Sequence, residues 1–244
     1  MAENNFTRYL LYAVGEVFLI VVGILIALAI NNWNQREAAK KREQFYLEGL
    51  KAEFQQSRAK LVELMRVNRL NYEEAKRLAQ IINSDSADIT ESALSDILLN
   101  TLSYEISYNP NNSLLLEIIN SGGLKDLSDA ELRMYLTSWE SVIRQVHQQE
   151  ASLRTQREYI LGIFREGEGS IRTVVDKTGI SVSQLGLEPK AHNESNLGII
   201  RTSRFEDNLL MFILIGITTE DSHYLPLQDR IDTVLALIDH NLDK

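Results

Sequence analysis

The 244-residue chain contains no cysteine and only three prolines. Without cysteine there is no disulfide, no thiol nucleophile, no cysteine-zinc site and no usual iron–sulfur ligand. Few prolines and few strand-like runs leave long stretches free to be helical. Histidine is scarce as well. His147, His192, His223 and His240 are the four, and no two have the i, i+4 spacing or the HExxH frame of a helical zinc site. A Gly-rich phosphate loop, a GxSxG elbow and a DxDxDG calcium loop are also missing. Positive charge is in deficit: the net charge is −9, which argues against nucleic acid as a partner. These gaps point away from an enzyme and imply neither metal nor cofactor.

What is present is one long apolar run. Residues 9–30 read YLLYAVGEVFLIVVGILIALAI, with Glu16 the only charge. As a helix the run spans roughly 33 Å, close to the roughly 30 Å hydrocarbon thickness of a bilayer. Tyr9 and Tyr12 at one end and Trp33, within Asn31–Asn34, at the other suit the two membrane interfaces. A signal peptide would have a shorter apolar core and a small-residue cleavage site. A buried core helix would show an amphipathic stripe. The length therefore favours a retained transmembrane helix, with the lipid bilayer as a first partner.

A carboxylate inside hydrocarbon costs at least a few kcal/mol if ionised. Three readings of Glu16 stand open. It lies about two turns in and can reach headgroups; it can bond as a neutral acid to a neighbouring helix; or it can form part of a proton or ion path. At roughly 100° per residue, Gly23 and Ala27 fall about 20° to either side of Glu16, and Gly15 precedes it. Small residues four apart let helices approach closely, so Gly15, Glu16, Gly23 and Ala27 are the expected helix–helix contact. The charged run 36–43, REAAKKRE, offers Arg36, Lys40, Lys41 and Arg42 to anionic headgroups or serves as a plain flank of the span.

Beyond the membrane the pattern is helical throughout. Leu47, Leu50, Phe54, Leu61, Leu64, Ala75, Leu78 and Ile82 recur at helical spacing, interrupted by Ser57, Asn68 and Asn71. A bend is expected near the Asn cluster or Gly49. Asp88/Glu91, Ser128/Glu131 and Ser203/Glu206 have capping-box spacing. The second opens a helix expected to reach about Arg165, with Leu132, Tyr135 and Trp139 on one stripe that is core or, less simply, a ligand pocket. His147 with Glu150 reads as a solvated helix face, and Glu220, Asp221 and His223 as acids before a last helix from about Pro226. The apolar run Leu209–Ile217, too short to span a bilayer, reads as the most buried helix. The expected fold is all-α: a short tail (1–8), a transmembrane helix (9–30), a long juxtamembrane helix (31–83) and a helical-bundle domain packed with it (84–244).

RYLLYAVGEVFLIVVGILIALAINNWN resembles an uncharacterised family of bacterial single-pass membrane proteins, in which YLLYAxGE, GILIAL and NNWN recur together. The later NNSLLLEIINSGGLKDLSDAELRMYLTSWE also looks like that family. The resemblance implies a domain of unknown function and brings no activity. It implies that Gly15, Glu16, Gly23, Asn31, Asn32, Trp33 and Asn34 belong to the family motif. It also implies a bacterial cytoplasmic membrane with the bundle on the periplasmic side, although the basic N-terminal tail of relatives is nearly missing here and Ala29 stands where they often have Gln. The leading functional expectation is a non-enzymatic, membrane-anchored protein that assembles, as a homo-oligomer or an accessory subunit of a larger membrane complex. The alternatives are a periplasmic ligand-sensing bundle that signals through a partner, and an oligomeric proton or ion path built on Glu16.

Overall fold

The computed structural model describes residues 3–84 and 89–243, with side chains from residue 10 onward except residue 12. Every regular element among the described residues is a helix. Helix α1 runs unbroken from Glu3 to Asn83, 81 residues or about 120 Å. The expected bend at Asn31–Asn34 or Gly49 is thus no break in the helix. Gly49 serves packing instead: a side chain there would collide with Leu114, so the residue lets the third helix close onto α1.

The remaining helices fold back on the C-terminal half of α1, from about Arg42 onward. They are α2 (Glu91–Leu102), α3 (Ser113–Ser121), α4 (Ala130–Thr137), α5 (Trp139–Arg165), α6 (Ile171–Lys177), α7 (Ile180–Ser183), α8 (Ser203–Thr219) and α9 (Leu225–Leu242). One face of α1 supplies Leu47, Leu50, Phe54, Leu61, Met65, Ala75 and Leu78 to a single core. The polar interruptions are used. Ser57 Oγ accepts from the Asn111 N–H at 2.9 Å, Asn68 Nδ2 donates to Gly216 O at 2.9 Å, and Asn71 Nδ2 donates to Tyr104 O at 3.2 Å. Each ties an irregular or close-packed segment to α1, which an apolar side chain could not do.

Each expected capping box falls near its helix start but not on it. Asp88 lies outside the described residues, and α2 is capped by Thr90, whose side chain accepts from the Ala93 N–H. Asp129 rather than Ser128 caps α4, and Thr202 rather than Ser203 caps α8. The expected helix to Arg165 is two, because the chain turns at Ser138 and that hydroxyl donates to Met134 O at 2.7 Å. Helix α3 has no side-chain cap of its own. Glu53 of α1 accepts from the N–H groups of Leu114 (2.7 Å) and Leu115 (3.2 Å), placing a carboxylate at the positive end of α3. Gly122 then ends α3 at φ +71°, where glycine carries no steric cost.

Helices α8 and α9 form one rod joined by a π turn, Glu220–Tyr224, so the acids 220 and 221 sit inside a helix rather than at a helix start. Pro226 lacks an N–H and crowds the preceding turn; the wider turn before it takes up both defects. The rod runs antiparallel to α1: Gly216 packs on Tyr72, Arg69 pairs with Glu220, Arg58 with Asp232 (2.6 Å) and Lys51 with Asp239 (2.7 Å). Leu209–Ile217 is not buried all round. Leu209, Phe212, Ile213 and Gly216 face the core, while Leu210, Met211 and Leu214 are exposed. A uniformly apolar run does not reveal which side the neighbours occupy.

Candidate functional site

The N-terminal third of α1 stands clear of the bundle. From Ala13 on, α1 is long and apolar enough to cross a membrane, and no residue of its apolar window is buried. Val14, Val17, Phe18, Leu19, Ile24 and Leu25 are all more than half exposed. Glu16 and Ala27 are exposed, and a side chain at Gly15 or Gly23 would meet nothing within 4 Å. Trp33 is exposed too. The side chains of Tyr9 and Tyr12 lie outside the described residues.

Because α1 is one helix, the direction of its face can be followed from one end to the other. At roughly 100° per residue, Glu16, Gly23 and Ala27 lie within about 20° of one direction. The core residues Leu47, Leu50, Phe54, Leu61 and Met65 cluster about 180° away. The stripe therefore lies on the back of the rod, turned away from the chain's own bundle.

Of the basic residues after the span, Arg36, Lys40 and Lys41 are exposed, whereas Arg42 turns to Asp126 at 3.5 Å. Next to it Glu43 accepts from the Ser128 N–H at 2.5 Å, and Tyr46 lies against Gly123. Further along, Glu53 caps α3, Ser57 holds Asn111, and Lys60 donates to Asn109 O at 3.0 Å. Asn241, near the end of α9, donates to Asp129 at 2.8 Å. Residues 109–129 thus form a collar seated on the first turns of α1 to enter the bundle. The second segment that carries the family resemblance clasps α1 from Arg42 onward, a few turns past the end of the first at Asn34.

A second polar locus lies deep in the bundle. Glu150 is 2% exposed. Its Oε1 accepts from the Tyr108 N–H at 2.8 Å and from the Tyr224 hydroxyl at 2.7 Å. His147, one turn earlier, places Nε2 2.9 Å from Tyr108 O, and the Tyr108 hydroxyl donates to Ser57 O at 3.2 Å. The solvated-face reading is therefore wrong for Glu150. Burial pushes its carboxyl above the usual range, against the lowering effect of the Tyr224 and Tyr108 hydrogen bonds. The same burial, with the Glu150 charge, pushes the Tyr224 hydroxyl up.

A cavity of about 10 Å³ beside Glu150 is shared with Asn71, Arg154 and Arg157 and has room for a single water. That is no substrate pocket, and no group of three or more potential metal ligands occurs among the described residues. Glu220 is likewise buried and paired with Arg69. Leu132 and Trp139 are core, and Tyr135 is half-buried beneath Arg230, whose guanidinium lies 4.8 Å from the ring centre. The stripe is packing rather than a pocket.

The sequence carried a signal for Glu150 that its charge obscured. Ile143, Val146, Glu150, Leu153 and Ile160 share one helical stripe, and all but Glu150 are apolar. A carboxylate in register with a core stripe reads as buried. No curated protein and no solved structure matches the chain. A family model described as a family of unknown function matches residues 16–148, from Glu16 of the apolar stretch through the collar and into α5. That is more than half of the 244 residues, and the chain therefore belongs to this family, DUF6090.

Proposed function

We propose that the protein is a non-enzymatic, membrane-anchored helical protein that works by assembly, as a homo-oligomer or as an accessory subunit of a larger membrane complex. One observation carries this reading: Glu16, Gly23 and Ala27 share a face of α1 that is turned away from the chain's own bundle and covered by none of it. A carboxyl group in hydrocarbon is costly unless another polar group receives it, and small residues beside it let a second helix come close. The resemblance of the span and its flanks supports an anchor in the bacterial cytoplasmic membrane. Large domains translocate largely regardless of nearby charge, which supports a periplasmic bundle.

Gly23→Leu is the direct test. It fills the gap beside Glu16 with a branched side chain but leaves the span apolar. Native mass spectrometry of the full chain released from lipid should show a larger assembly for the parent and loss of it for the variant. A single-chain mass for both would refute assembly between copies, and co-purification of other membrane subunits would then decide for or against the accessory role.

A second reading, ligand sensing through a partner, is favoured by one feature. Leu98, Leu99, Leu102, Leu161, Phe164, Ile171, Val174 and Val175 line a crevice of about 180 Å³ between α2, α5 and α6. Only a small uncharged ligand suits such walls. Saturable protection of the bundle in a thermal-shift series of short alcohols and aromatics would support it, and no shift with either class would remove its one support.

A further inference from the structure

Outside the membrane the back of α1 stays bare where the bundle has already closed on its front. Ala38, Phe45, Ala52 and Ala59 follow at seven-residue intervals, and all four are exposed. Phe45 is 66% exposed at the centre of this face; further along, Ala59 borders a groove walled by Leu235 and Asp239 of α9. By helical phase these residues lie within about 40° of Glu16, Gly23 and Ala27. We infer that a second copy of this chain packs in parallel along the back of α1, its contact continuing from the membrane stripe through Phe45, Ala52 and Ala59, with the two bundles facing outward. This rests on the proposed assembly through the anchor and adds the partner, the direction and the extramembrane half of the contact.

Three considerations select a second copy. Anchors in one bilayer with their bundles on one side hold the two rods parallel. In a parallel pair in seven-residue register, a flanking residue faces the partner residue five positions on. Here that sets Glu37 beside Arg42 and Arg58 beside Glu63, opposite charges in each case. Within the chain Arg42 meets Asp126 at 3.5 Å, Arg58 meets Asp232 and Glu63 meets Arg66, so the cross-pairs extend existing charge clusters. Lys41, Glu48 and Gln55 each oppose their own copy: the Lys41 ammonium must turn to water on its long stem, and the Glu48 carboxylate, which accepts from Gln44 Nε2 at 3.0 Å, must turn aside toward that partner.

Area is the third. A helix face about 10 Å wide and roughly 65 Å long, from Glu16 to Ala59, offers on the order of 700 Å² per copy, close to the ~800 Å² of a stable interface. The extramembrane part alone offers about half of that, so the contact needs both parts of the rod.

The absence of native cysteine makes the test clean. Single substitutions Ala27→Cys, Ala52→Cys and, on the exposed side of α5, Gln148→Cys are placed in the full chain, reconstituted in phospholipid vesicles and oxidised with copper-phenanthroline. Ala27→Cys and Ala52→Cys should both yield a covalent dimer and Gln148→Cys should not. Adding Phe45→Asp to Ala52→Cys should cut the dimer yield about fivefold, as a loss of ~1 kcal/mol of contact would. A cross-link at Ala27 without one at Ala52 overturns this inference and leaves assembly in the membrane standing. Equal yields at Ala52 and Gln148 mean random collision and overturn it too. No cross-link at Ala27 or Ala52 overturns this inference together with assembly between copies, and leaves only the accessory-subunit role standing.

Discussion

Trp139→Ala should cost the bundle about 3–5 kcal/mol, the largest loss expected from any single truncation here. Trp139 is 2% exposed and opens α5 immediately after the turn at Ser138. Its ring packs on Phe54 of α1 with centroids 4.7 Å apart and planes tilted by 58°. It is the wedge that sets α5 against the central rod, and alanine would leave a cavity there that stiff helices on both sides cannot close. Its indole N–H has no partner, so the residue acts through shape alone. Trp139→Phe therefore removes an unpaired donor along with part of the ring, and should cost well under half as much. Urea titration of the full chain in mild detergent, followed by circular dichroism, measures both. Similar losses for the two variants would mean that the indole nitrogen has a partner in solution and that shape is not the governing factor.

The stripe containing Trp139 also shows what was legible in the sequence. Leu132, Leu136, Trp139, Ile143 and Val146 follow a 3.6-residue period and all prove buried, because one neighbouring surface selects one face. The turn at Ser138 left no mark, since neither glycine nor proline was needed: a serine hydroxyl bonded to the preceding turn is a common local competitor of the helix. Caps were found to within one or two residues, because serine, threonine and aspartate stand together at these starts and any of them can serve. The cap on α3 was not legible at all, since it comes from Glu53, about 60 residues away in sequence. The π turn was hidden for a related reason: Pro226 reads as a start signal, and only packing against α1 keeps the rod continuous through it.

The membrane stripe was the reverse case. Its residues could be named from spacing alone, but which way it points relative to the bundle required the unbroken course of α1. That course also changes the meaning of the run 36–43. Read as sequence, it is a charged flank of the span. In the structure its last two residues, Arg42 and Glu43, fasten the collar, so the rod enters the bundle already committed to one rotational setting. The stripe on the candidate span and the bundle beyond it are then held in fixed phase, which is what the assembly proposed above would require.

Glu150 should show its buried state in the pH dependence of stability. Its folded pKa lies above the ordinary 4.5, chiefly through burial. A carboxyl raised on folding binds its proton more tightly in the folded chain, so stability falls as pH rises from about 4.5 through the folded value. Asp176 acts in a separate, lower window. Burial pushes its carboxyl up, but bonds from Arg172 at 2.9 Å and from the Lys190 N–H at 3.1 Å outweigh this and hold it at about 2. Its contribution is complete above 3.8 and is lost as pH falls toward 2, so the two signs do not overlap. Glu150→Gln keeps an oxygen for Tyr108 and Tyr224, and its amide can give a hydrogen to the cavity it shares with Asn71, whose Oδ1 is otherwise unpartnered. This variant should match the parent near pH 4 and exceed it at neutral pH, with the decline above 4.5 flattened. Glu150→Ala strands a buried N–H and a buried hydroxyl and should cost about 2–5 kcal/mol at every pH. Urea midpoints of the three chains between pH 4 and 8 decide the matter: a Glu150→Gln curve parallel to the parent's would mean the carboxyl titrates normally and that water reaches it.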